Sequence, residues 1–287
     1  MLGAGLCWSV GGIIVRMLTL ADAWEIVFWR ALFMATFLGV LLLARYGRST
    51  LVSVRAIGAA GVIASTCLAE QIYFFIFALS NTTTANTFVL MSLSPLFAAL
   101  AGLLFLRERV AWHTWIAIAI ALGGVVIMFG EGLNGGRWLG NFFALCVPLG
   151  YACQILFVRK VQGRQKTQGS APDLLPTVFV AGCIAMPPAL FLGWPLEALA
   201  RDVSLLALMG CVQLGLGCWL MTLAVPHLRA AEMGLLALTE TILAPLWVWL
   251  GVGETPSGAA LTGGALIVSA LAVNAWIALR SERAGAD

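Results

Sequence analysis

The chain has 287 residues, of which 61% are apolar and only 10% charged, whereas a soluble domain carries about 25% charged residues. That leaves too little charge to cover a water-facing surface, so the composition excludes an ordinary soluble domain and points to lipid as the main solvent. A net charge of +3 is too small to argue for nucleic acid as a partner.

About 20 apolar residues in a helix cross the hydrocarbon core. Only helices and closed barrels satisfy their backbone groups in lipid. The apolar runs are continuous rather than alternating, so they predict helices. In chain order they fall near 2–20, 23–44, 56–79, 83–106, 112–130, 138–159, 174–193, 204–224, 230–252 and 258–280. The first run is apolar from Met1, with no basic leader and no small-residue cleavage site. It reads as a first span, its short cytoplasmic tail outside this sequence, rather than as a signal peptide. The longest polar stretch, Gln162 to Asp173, predicts a short flexible connection.

The basic residues orient the bundle. Alternate connections carry Arg45, Arg48, Arg55, Arg107, Arg109, Arg159, Lys160, Arg164, Lys166, Arg229, Arg280 and Arg283. The opposite connections carry only Arg137 and Arg201, while Arg16 and Arg30 lie within spans. This asymmetry predicts that the first set, and both termini, face the cytoplasm. Trp24, Trp29, Trp138 and Trp194 near the outer ends suit an interfacial aromatic belt.

None of the seven cysteines forms a Cys-x-x-Cys pair, and His113 and His227 have no partner at metal spacing. The cysteines read as small buried hydrophobes, and no metal or cofactor is expected.

An internal repeat is visible. Shifted by 146 residues, Leu68, Ala78, Ala85, Leu90, Ala98, Leu100, Leu104 and Glu108 fall on Leu214, Ala224, Ala231, Leu236, Ala244, Leu246, Leu250 and Glu254. With a shift of 139, Leu6, Cys7 and Gly11 fall on Leu145, Cys146 and Gly150. The expected fold class is therefore an all-α integral membrane protein of ten transmembrane helices. It divides into two five-helix repeats, residues 1–134 and 135–287. An odd number of spans per repeat inverts one half relative to the other, the architecture of secondary transporters.

Several short motifs lie along the chain in a recognisable order. They are Trp8, Phe28-Trp29-Arg30, Ala78-Leu79 to Ala85, Leu93-Ser94-Pro95, Arg107-Glu108-Arg109 and Gly123-Gly124. Ala230-Ala231-Glu232, Pro245 and Gly253-Glu254-Thr255 take the corresponding places in the second half. In these the chain resembles an EamA-type member of the drug/metabolite transporter superfamily over nearly its whole length. The resemblance implies ten helices, cytoplasmic termini and alternating access, with amino acids or other metabolites as exported substrates. Pro95 and Pro245 depart from the repeat, since they do not superpose under the 146-residue shift.

Ionisable groups at membrane depth usually face a cavity or a partner. Arg30, Glu70 and Glu240 are the deepest. Arg30 is expected to pair with a substrate carboxylate or with Glu70 or Glu240, or else to serve as a structural ion pair. A spare acid at that depth is a candidate proton carrier. Glu232 and Glu240 share a helical face, and their repeat counterparts are Asn86 and Ser94. Tyr73, its counterpart Trp219, and Trp8, Tyr151 and Gln154 are candidate pocket walls, since ammonium groups are drawn to aromatic faces. Core packing and interhelical hydrogen bonding are the plainer readings of these groups. Pro95 and Pro245 are candidate hinges, because a proline inside a span frees a carbonyl. Asp22 and Glu25 are expected to be solvated at the outer mouth, Glu108 to end a helix, and the glycines at 58, 61, 123, 124, 263 and 264 to allow close helix packing.

The leading expectation is a secondary transporter in a bacterial cytoplasmic membrane that exports amino acids or similar small metabolites. Its partners are the lipid bilayer and the small-molecule substrate. Lipophilic drugs are the alternative cargo, with a passive channel or an intramembrane enzyme behind them. No Gly-x4-Gly-Lys-[Ser/Thr] loop or His-Glu-x-x-His run is present, which argues against ATP hydrolysis and zinc chemistry by this chain.

Overall fold

The computed structural model describes residues 1–20, 22–107, 110–134, 136–167, 173–224, 228 and 230–284. Among the described residues there is no strand. The helices are α1 (Leu2–Ser9), α2 (Gly11–Met17), α3 (Ala23–Tyr46), α4 (Thr50–Ala56), α5 (Gly58–Asn81), α6 (Thr84–Met91) and α7 (Ser94–Leu106). They continue as α8 (Trp112–Asn134), α9 (Trp138–Thr167), α10 (Leu175–Leu192), α11 (Ala200–Leu208), α12 (Gly217–Ala224), α13 (Ala230–Val252) and α14 (Gly258–Ala284). A π-helical segment, Met209–Leu216, joins α11 to α12.

Eight helical stretches are long and apolar enough to cross a membrane. Two shorter apolar helices, Leu2–Met17 and Leu236–Val252, accompany them, a set compatible with ten crossings. Exposed Leu104, Phe105, Phe191, Val126 and Leu250 face outward, as helices with lipid for solvent require.

Local chemistry sets the ends. Asp22 caps α3 by accepting from the Trp24 N–H at 2.7 Å, and Thr83 caps α6 by accepting from Asn86 N at 3.2 Å. Such caps satisfy donors that the first helical turn leaves open.

The core has two centres. In one, α3, α5 and α10 pack around Met34, Leu38, Ile72, Ile76 and Leu175. In the other, α8 and α14 pack around Ala121, Met128 and Ile267. Gly124 and Gly263 bring α8 and α14 together. A Cβ on Gly124 would lie 2.6 Å from the Gly263 carbonyl oxygen, and one on Gly263 would lie 2.7 Å from that of Gly124. Gly123 faces open space, so of this pair only Gly124 packs closely.

Two connections differ from expectation. The first basic connection contains α4, which exposes Leu51 and Val52 between Arg48 and Arg55, a pattern suited to the membrane surface. The polar stretch from Gln162 is helical as far as Thr167, because α9 runs on past the apolar run. Its remainder at 168–172, together with Glu108 and His227, lies outside the described residues.

Candidate functional site

Three spans lose their regular helix. The first breaks at Val10, between α1 and α2. The fourth breaks between Met91 and Ser94, and Pro95 sits in the opening turn of α7, where its missing N–H costs nothing. The eighth winds into the π segment. Irregular backbone at membrane depth is tolerated where it is enclosed by protein or lines a cavity, and π segments gather at functional sites. Pro245 lies inside α13, where it leaves the Thr241 carbonyl without its usual donor.

Arg30 lies where two of these irregularities meet. It is 3% exposed. Its Nη2 donates to Gln213 Oε1 on the π segment at 3.2 Å, its Nη1 donates to the Ile72 carbonyl at 3.4 Å, and its Nε has no partner among the described residues. The Phe75 ring lies 4.8 Å from the guanidinium carbon. Gln213 in turn donates to the Trp8 carbonyl, next to the Val10 break, at 3.4 Å. A Cβ on Gly11 would lie 3.0 Å from Gln213 Nε2 and 3.1 Å from the Phe75 ring, so the small residue after the break permits this approach. Buried Cys218 packs beside Trp8, within electrostatic reach of both Arg30 and Glu240. Glu240 is half-buried and makes no ion pair among the described residues.

The expected pairing of Arg30 with Glu70 or Glu240 is not formed. Gln213 and a backbone carbonyl take the guanidinium instead. Glu70 is exposed. It is two residues from Ile72, and two residues turn a helix by about 200°, so Glu70 points away from Arg30.

The other candidates are spread through the bundle. Asn86 is buried and donates to Asn141 Oδ1 at 3.1 Å. Gln154 accepts from Gln71 at 2.9 Å, joining α5 to α9. The Tyr73 hydroxyl donates to the Ala185 carbonyl and joins α5 to α10. Ser94 donates to Met91 O at 2.7 Å across the break. Trp219 packs on the larger core, and Tyr151 is half-buried on α9. The Glu232 side chain lies outside the described residues.

At one end of the bundle the connections are tied by polar groups. Arg16 Nε meets Glu254 Oε2 at 2.6 Å, while Nη1 and Nη2 donate to the Leu79 and Thr82 carbonyls at 2.8 and 2.7 Å. Glu254 Oε1 accepts from Thr84 N at 2.7 Å. Asp202 accepts from Thr19 and Leu20, and Ser257 donates to Glu131. Glu25 corrects the expectation of a solvated acid. It is 1% exposed and accepts from the N–H groups of Glu197 and Ala198 at 3.0 and 2.8 Å and from Trp29 Nε1 at 3.1 Å. The connection 193–199 folds over it, a tertiary event with no local signal.

Sequence reasoning missed Gln213, Asn141 and the pairing of Arg16 with Glu254. Arg16 carried a signal as an ionisable residue within a span, and Glu254 as a repeat and motif position, but nothing joined the two. A groove of about 190 Å³ between α8 and α14, lined by Trp112, His113 and Asn274, lies apart from Arg30.

A helical bundle of membrane-crossing length, with buried Arg30 and Gln213 where helices break, has the architecture of a multi-pass membrane transporter. Residues 1–130 match the EamA-like transporter family. Two pseudopaline exporters, from two strains of Pseudomonas aeruginosa, are each 24% identical over 251 residues, covering 86% of this chain and 84% of theirs. One solved crystal structure shares the fold with a TM-score of 0.66 at 16% identity, covering 96% of each chain. The protein is a multi-pass integral membrane protein.

Proposed function

We propose that this protein is a secondary transporter exporting amino acids or similar small metabolites across the bacterial cytoplasmic membrane. It works by alternating access between two inverted five-helix repeats, residues 1–134 and 135–287, with both termini in the cytoplasm. In that orientation the Arg16 end faces outward. The observation that carries the reading is the meeting of the Val10 break and the π segment on buried Arg30. Discontinuous spans at the midplane are where carriers bind their cargo. The pseudopaline exporters support export of a small metabolite.

The proposed site takes Arg30, Trp8 and Glu240 around Cys218 as its centre. Tyr151 and Trp219 supply further wall, and the Pro95 and Pro245 positions act as hinges. Asn86, Ser94, Gln154 and Tyr73 hold the surrounding helices. The chain does no covalent chemistry on its cargo in this scheme.

Flux of labelled amino acids in proteoliposomes, with and without an imposed pH gradient, tests the proposal. Saturable flux that follows the gradient supports a proton-linked carrier, and saturable flux indifferent to it supports a uniporter. Non-saturable flux that persists when both mouths are crosslinked shut in turn would sink alternating access.

A further inference from the structure

The buried guanidinium of Arg30 has only neutral partners. Among the described residues no carboxylate lies within 4.0 Å of it. A cation at this depth without a counter-charge is costly and marks a functional position. The pattern of its bonds is specific. Nε and Nη2 lie on one edge of the guanidinium, the edge a carboxylate engages with two parallel hydrogen bonds. Gln213 Oε1 accepts from Nη2, and among the described residues Nε on that edge is unpaired. An amide oxygen meets this edge with one bond where a carboxylate would make two.

Gln213 is also placed to leave. It stands in the π segment, and its other amide arm rests on the Trp8 carbonyl at the Val10 break. Both supports are irregular backbone, able to shift without unwinding a complete helix. Arg30 and Gln213 are each 3% exposed, so the edge is occluded until such a shift occurs.

We infer that Arg30 is the carboxylate-binding group of the transport site and that Gln213 holds its place in the empty carrier. The substrate class is therefore a small molecule bearing a carboxylate. This rests on the transporter reading above and narrows it. The substrate's carboxylate displaces Gln213 Oε1 from Nη2 and takes the open Nε as well.

The test uses the full chain in proteoliposomes with three sets of labelled probes: L-amino acids, their carboxamides and uncharged lipophilic compounds. Two variants change the edge in opposite senses. Gln213→Glu puts a permanent carboxylate on Arg30 and is expected to raise KM for the acids on the order of tenfold or more. Gln213→Ala vacates the edge and is expected to lower KM for the acids several-fold, an effect a merely structural glutamine would not produce. Should Gln213→Glu fail to fold, Gln213→Ala decides the point alone. Acids carried and carboxamides refused, with KM moved in those directions, supports the assignment. Carboxamides carried as well as the acids, or an unchanged or raised KM in Gln213→Ala, overturns it. Saturable flux confined to the lipophilic compounds overturns the carboxylate class and leaves the transporter reading standing. No saturable flux of any probe overturns both.

Discussion

Arg16 and Glu254 stand 238 residues apart in the chain and meet at 2.6 Å, each held by further bonds to a third segment. Arg16 also donates to the Leu79 and Thr82 carbonyls, and Glu254 also accepts from Thr84 N. The pair therefore joins the first span, the turn between α5 and α6, and the connection between α13 and α14. In the proposed orientation this is the outer seal. Opening to the outside must break several charge-assisted bonds at once, each worth about 1.5–3 kcal/mol before screening.

Glu254→Gln should weaken the seal, because the amide loses the charge and one of the two acceptors that Arg16 and Thr84 use. Reaction of a membrane-impermeant maleimide with a cysteine placed at Thr84 should speed up in this variant. A charge swap, Arg16→Glu with Glu254→Arg, should restore closure only in part. The Leu79 and Thr82 carbonyls need a donor at position 16, and glutamate supplies none. Full restoration would show that the ion pair alone closes this end.

Glu25 holds the connection 193–199 through two backbone N–H groups. Glu25→Ala should leave both without their acceptor, at a cost of about 1 kcal/mol for each. Glu25→Gln keeps one acceptor and should cost less. Thermal unfolding in detergent should rank wild type above Glu25→Gln and Glu25→Gln above Glu25→Ala; equal midpoints for the two variants would rule out the backbone bonds as the source of stability.

The neighbouring glycines Gly123 and Gly124 make a matched pair. A methyl group at 124 would meet the Gly263 carbonyl oxygen at 2.6 Å, whereas one at 123 would meet nothing within 4 Å. Gly124→Ala should destabilise the protein by about 1–3 kcal/mol, the usual cost of overpacking. Gly123→Ala should be neutral or slightly stabilising, since alanine is the better helix former. Thermal midpoints of the two variants measured side by side check this, and similar losses at both positions would contradict the packing seen between α8 and α14.

The spans were legible in the sequence because lipid demands long apolar helices, and that demand is written in composition. The depth of Arg30 and Glu240 followed from counting along those spans. The partners of Arg30 were not legible. Gln213 is a neutral residue in an apolar run, and it reaches Arg30 only because Met209–Leu216 winds as a π segment. Nothing in those eight residues marks that winding. Glu25 was misread for a related reason: its burial depends on a connection 168 or more positions downstream, whose backbone covers it. Glu70 was counted as deep, which its position in α5 supports, but depth along a helix does not say which way a side chain faces.

Glu70 and Glu240 thus make a decisive comparison. Both stand well inside apolar helices, but Glu240 is near Cys218 at the proposed site and Glu70 is exposed on a face turned away from Arg30. If the acid that matters is the one facing the cargo, Glu240→Gln should change the rate of flux or its dependence on pH. Glu70→Gln should leave both as they are in the wild type. Flux measured in proteoliposomes over a range of about pH 5.5 to 8.5 separates the two. An unaltered profile in folded Glu240→Gln would remove that residue from the mechanism. An altered profile in Glu70→Gln would place a working acid on the outer surface of the bundle, where only lipid or a second protein meets it.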